Sequence, residues 1–119
     1  MRYFLSTMLL FMATPALAET LDAKAIQNQL IGQHITWWDA QGDMTGDLIL
    51  LPSGDAQLTV NAPTTASDKG QWTLQGNQLC TIWSRMRAGT AKCYTLRETL
   101  PGHFITSGGN EFALQEIAV

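Results

Sequence analysis

Basic residues are scarce in this chain: seven Lys and Arg stand against ten Asp and Glu in 119 residues. That balance excludes the basic footprint that a nucleic-acid partner requires. Histidine is nearly absent, with only His34 and His103. Either could act as a base beside an aspartate, but a lone His at a strand start is more often structural or merely exposed. A metal site built on both lacks a third ligand. No serine occupies a G-x-S-x-G elbow, so nucleophilic catalysis finds no support. Cysteine stops at two, and no apolar run reaches the roughly 20 residues that span a bilayer. The expected protein is therefore not an enzyme and carries no cofactor and no metal.

What is present begins at the N-terminus. Met1-Arg2 is followed by an apolar run from Tyr3 to Ala13, then Pro15 and Ala16-Leu17-Ala18. This charged, apolar, small-residue order is that of a secretory signal peptide of residues 1–18, with cleavage expected after Ala18. No Cys follows the cleavage site, so a lipid anchor is not indicated. The expected location is periplasmic, an oxidising compartment in which two cysteines pair. Residues 19–119 then form one domain, with six basic and ten acidic residues.

Gly70 to Tyr94 is the most ordered text. Trp72 and Leu74 alternate with Gln71, Thr73 and Gln75, the period of a half-buried strand. Gly76-Asn77 fits a tight hairpin turn. The next run, Gln78 to Met86, carries Cys80, and the returning run, Thr90 to Arg97, carries Cys93, with Arg87-Ala88-Gly89 as the connection. Cys80 and Cys93 then lie across from each other at disulfide spacing.

The remaining elements follow from local signals. Thr20 is placed to cap a helix over Leu21 to Ile31, with Asp22 in its first turn and Gly32 to end it. His34 to Trp38 reads as a strand with Ile35 and Trp37 on one side. Asp47 to Leu51 and Ala56 to Asn61 follow, the latter with Leu58 and Val60 inward, separated by the turn Pro52-Ser53-Gly54-Asp55. Ala62 to Asp68 reads as a loop. Pro101-Gly102 and Ser107-Gly108-Gly109-Asn110 bound the strand His103 to Thr106, and Glu111 to Ala118 closes the chain. The expectation is a mainly β protein: an eight-stranded antiparallel meander closed into a small lipocalin-like barrel, with one N-terminal helix. An open or two-layer sheet is the alternative.

L-I-G-x-x-I-T-W-W at 30–38, S-G-D at 53–55, G-x-W at 70–72, G-N-x-L-C at 76–80 and C-Y at 93–94 together resemble small exported proteobacterial proteins grouped as domains of unknown function. More distantly the chain resembles lipocalin-type barrels, although there G-x-W belongs to the first strand, whereas Gly70 and Trp72 sit in a middle one. It also resembles periplasmic lysozyme inhibitors, whose inhibitory loop is expected to pair a Ser/Gly-rich motif with an aromatic residue. Ser107-Gly108-Gly109-Asn110-Glu111-Phe112 matches that motif loosely.

Two patches merit a functional reading. Asp39, Asp43 and Asp47 are spaced four apart in a glycine-containing loop that oxygen chemistry would let hold Ca²⁺, against the blander reading of solvated acids. Trp83, with Arg85, Arg87 and Lys92, forms a basic, Trp-bearing hairpin suited to an anionic or sugar-bearing partner. On this reading Trp83 shares an exposed face with Thr81 and Arg85. The acidic loop and the basic hairpin are expected on opposite edges. The function that follows is binding: an envelope or protein partner met through loops and hairpin, or a small apolar or amphipathic ligand inside the barrel, or inhibition of an enzyme such as lysozyme.

Overall fold

The computed structural model describes residues 19–115, so the expected signal peptide and residues 116–118 of the last expected strand lie outside the described residues. The chain enters as an extended arm in which Thr20 bridges Arg97 and Leu21 N donates to Leu96 O at 2.8 Å. That pairing prevents Thr20 from capping the helix. Asp22 caps it instead, accepting from Ala25 N at 2.8 Å, and α1 runs over Ala23–Leu30. Ile26 and Leu30, one turn apart on one face, are fully buried.

Nine strands follow: β1 (His34–Trp38), β2 (Thr45–Leu50), β3 (Asp55–Ala62), β4 (Ala66–Gln75), β5 (Gln78–Trp83), β6 (Lys92–Tyr94), β7 (Leu96–Leu100), β8 (His103–Thr106) and β9 (Glu111–Leu114). They make one antiparallel sheet in the order β6-β5-β4-β3-β2-β1-β9-β8-β7. The outer members, β6 and β7, are consecutive parts of one segment that changes partner at Thr95. Across this seam Ser107 N donates to Thr95 O at 2.9 Å, and Thr95 N donates to Ser107 Oγ at 3.2 Å. The sheet is thus a nearly closed barrel, and the expected Thr90 to Arg97 strand is divided in two by the change of partner. Such closure removes most of the edge that a free sheet exposes.

Alternation works as read for Ile35 and Trp37 and for Leu58 and Val60, which point inward, and Leu48 and Leu50 of β2 do the same. β4 begins at Ala66, inside the segment read as a loop. Ala66 to Lys69 has almost no apolar content, and its strand form comes from pairing with β3, where Val60 faces Ala66 and Leu58 faces Asp68.

Successive turns of a meander alternate between the two ends. One end carries the β2–β3 turn and the β4–β5 turn, and α1 covers it: Gly32 N donates to Leu50 O at 2.7 Å, and Ala23 N donates to Asn77 Oδ1 at 3.1 Å. There Ile26 and Leu30 join Ile35, Leu50, Leu79 and Leu96 in one core. The other end carries the β1–β2, β5–β6 and β8–β9 connections and forms the mouth. The acidic loop and the basic hairpin therefore share one end of the barrel rather than opposite edges, because four strands, an even number, separate their turns.

Cys80 and Cys93 face each other in the β5–β6 register and form the expected disulfide, with Cα atoms 4.0 Å apart. β6 has only three residues, too few ladder bonds to hold it alone, so the bridge staples Lys92 to Tyr94 onto β5. Reduction is expected to lower stability by about 3 kcal/mol in the chain-entropy account for a loop of this length. Superimposable thermal melts with and without reductant would show the bridge to be idle.

Candidate ligand site at the barrel mouth

Trp83 is 8% exposed and lies inside the barrel, not on a solvent face. Leu79, Thr81 and Trp83 share one parity of β5, and all three are buried. Ile82 takes the outward position and is 41% exposed. The outer face of β5 carries the disulfide and Ile82, so apolar residues occupy both faces, and the face holding Thr81 looked the more polar of the two. Closure of the barrel turns that face inward.

Trp83, Arg87 and Lys92 line one cavity of about 90 Å³ at the mouth. Its apolar wall is made by Trp83 with Leu48, Leu58 and Phe112, and its polar groups are Thr81, Tyr94, Thr106 and Asn110. Among the described residues no carboxylate lines it. Thr81 and Lys92 are register partners across β5 and β6, which places the lysine at the rim beside the tryptophan wall. The Lys92 ammonium lies over Gly108, where a Cβ would stand 3.7 Å from Nζ. Burial, with the Arg87 charge added, lowers the Lys92 pKa below the ordinary lysine value. Burial pushes the Tyr94 phenol up to about 12, although a hydrogen bond with Thr81 and the Arg87 charge pull it back. Tyr94 therefore stays protonated at neutral pH and remains a donor. Its ring meets Phe112 edge-on, with centroids 6.1 Å apart.

Arg85, the fourth residue of the expected patch, is not part of the cavity. Its guanidinium donates to Ser67 O and lies 4.0 Å from Asp68, with the side chain 76% exposed. Asp68 is the buried acid beneath the β5–β6 connection. Its carboxylate accepts from Met86 N at 2.9 Å and Arg85 N at 3.0 Å. The Met86 N–H above all, then those of Arg85 and Lys69 and the Arg85 charge, hold its pKa down against the opposing effect of burial. Beyond this anchor the chain makes a single tight turn, Met86–Gly89, in which Arg87 and Ala88 adopt φ of 56° and 52°. The left-handed region costs a non-glycine residue about 1–2 kcal/mol. Such strain persists only where the surroundings impose it, and here it sets Arg87 at the rim.

No protein-family model, curated protein or solved structure matches this chain.

The other candidates are placed elsewhere. In the acidic loop, Asp39 Oδ1 accepts from Asp43 N at 2.8 Å and from Met44 N at 3.1 Å, shaping the turn. Asp47 lies on the outer wall, accepting from Asn61 Nδ2 at 2.8 Å and standing 3.4 Å from His34 Nε2. The three aspartates do not converge, and among the described residues no group of His, Cys, Asp and Glu could hold a metal. His103 is exposed beside an open depression that it shares with Trp38 and Leu100, outside the barrel. In the Ser107 to Phe112 segment the aromatic ring is buried in the core rather than displayed. Among the described residues no helix is long and apolar enough to cross a membrane.

The sequence reading missed Thr81, Tyr94, Thr106 and Phe112 as cavity residues, and Asp68 as the anchor. Parity with Leu79 could have found Thr81, and parity with Phe104 could have found Thr106. Asp68 has no local signal, because its partners lie 17 and 18 residues away.

Proposed function

We propose that the protein is an exported, non-enzymatic binding protein that takes a small amphipathic ligand into the mouth of its barrel. The observation that carries this reading is that Trp83, Arg87 and Lys92 meet around one cavity with an apolar wall and a polar, cationic rim. Small-molecule sites commonly have this form, concave and largely apolar with a few convergent polar groups. A flat protein partner is less favoured, because the hairpin keeps its tryptophan inside. A partner could still reach the same mouth by inserting one side chain.

Native mass spectrometry of the mature protein, taken gently from the periplasm, tests the reading. A reproducible ligand-sized mass that leaves on denaturation is the expected result. Bare protein, with no change in tryptophan fluorescence when small amphiphiles are titrated in, would overturn it.

A further inference from the structure

We infer that the ligand of the mouth is a short-chain monocarboxylate, its carboxylate held between the Arg87 guanidinium and the Lys92 ammonium and its tail laid against Trp83. The inference rests on the reading of the mouth as a binding site and adds the charge and size of what binds.

Charge is the first support. Arg87 and Lys92 are close enough to repel, yet among the described residues neither has a carboxylate within 4.0 Å. Of the Lys and Arg side chains among the described residues, Arg85 alone has a carboxylate within 4.0 Å, that of Asp68. Two like charges gathered at a cavity that no acid lines among the described residues favour an anion between them.

Construction is the second. Lys92 is held by the disulfide next to it, and Arg87 by a strained turn that Asp68 secures through Met86 N. Both cations thus sit on restrained backbone, which cuts the ordering cost of binding. The Tyr94 hydroxyl, which accepts from Thr81, lies in the same lining and can donate a further bond to an acceptor-only carboxylate. The indole N–H of Trp37, also in the lining, is buried with no acceptor among the described residues.

Size is the third. The cavity of about 90 Å³ is smaller than the roughly 150 Å³ engineered cavity that admits benzene. It suits an aliphatic tail of a few carbons.

The test is titration of the mature protein with hexanoate, 1-hexanol and hexylamine, followed by tryptophan fluorescence and calorimetry. Hexanoate is expected to bind at least tenfold more tightly than hexanol, as charge-assisted hydrogen bonds to two cations imply. Arg87→Gln and Lys92→Gln should each remove most of that preference, lowering hexanoate affinity far more than hexanol affinity. Arg87 is exposed, so its variant keeps the test open if Lys92→Gln folds poorly. Equal binding of acid and alcohol, or tighter binding of the amine, would overturn the carboxylate inference and leave the mouth as a binding site. No binding of any of the three would overturn both.

Discussion

Gly70→Ala is expected to cost the barrel about 3 kcal/mol or more, or to prevent it from folding. Gly70 lies in β4 opposite Trp83 of β5 and Ala56 of β3, so a neighbouring strand flanks it on each side. A Cβ at this position would stand 2.1 Å from Ile82 O and 2.8 Å from the Trp83 ring. The nearer atom belongs to backbone, which cannot turn aside as a side chain can. Relief requires β4 and β5 to part, or Trp83 to leave the wall of the mouth. Gly46 in β2 poses the same restriction, with Thr59 O and Trp37 Nε1 at 1.7 and 2.9 Å from its would-be Cβ. Urea denaturation checks the claim: a Gly70→Ala midpoint equal to that of the parent protein would refute it.

Leu30→Ala is expected to destabilise by about 2–5 kcal/mol, the range for a fully buried leucine truncated to leave a cavity. Leu30 has no exposed surface and, with Ile26, forms the apolar face by which α1 covers one end of the barrel. The helix is only eight residues long. A helix of this length has little stability of its own. Its attachment therefore depends on those two side chains, the Asp22 cap and the bonds to Asn77 and Leu50. Asn28→Ala, on the exposed face, is the control and should fall within about 0.5 kcal/mol of the parent. Equal melting curves for the two variants would show that α1 is not part of the cooperative unit.

Legibility differed from residue to residue. The hairpin at Gly76-Asn77 was readable because alternation and a turn dipeptide act over a few residues, and Cys80 opposite Cys93 followed from the same register. Ile35 and Trp37 were readable as inward-facing because the opposite parity holds His34 and Thr36 beside Trp38. Trp83 was not, because β5 has apolar residues on both faces, and the choice between them lies in curvature rather than in the segment. Thr20 was misread as the helix cap because its actual partner, Arg97, is remote in sequence. β4 was shortened because Ser67 and Lys69 resemble loop residues until β3 pairs with them.

The sequence by itself determined the β class, most of the strands and turns, the disulfide and the chemistry available at the hairpin. These depend on side-chain alternation, on backbone preferences at Gly, Asn and Pro, and on the pairing of two cysteines, all of which act locally. Only the tertiary structure decided that the sheet curls until β6 and β7 become its two edges in one continuous segment. That closure turned Trp83 inward, brought Arg87 and Lys92 to one mouth, and set the acidic loop at the same end. Closure depends on the cumulative twist of all nine strands and on contacts between residues far apart in the chain, so no short stretch of sequence carries it.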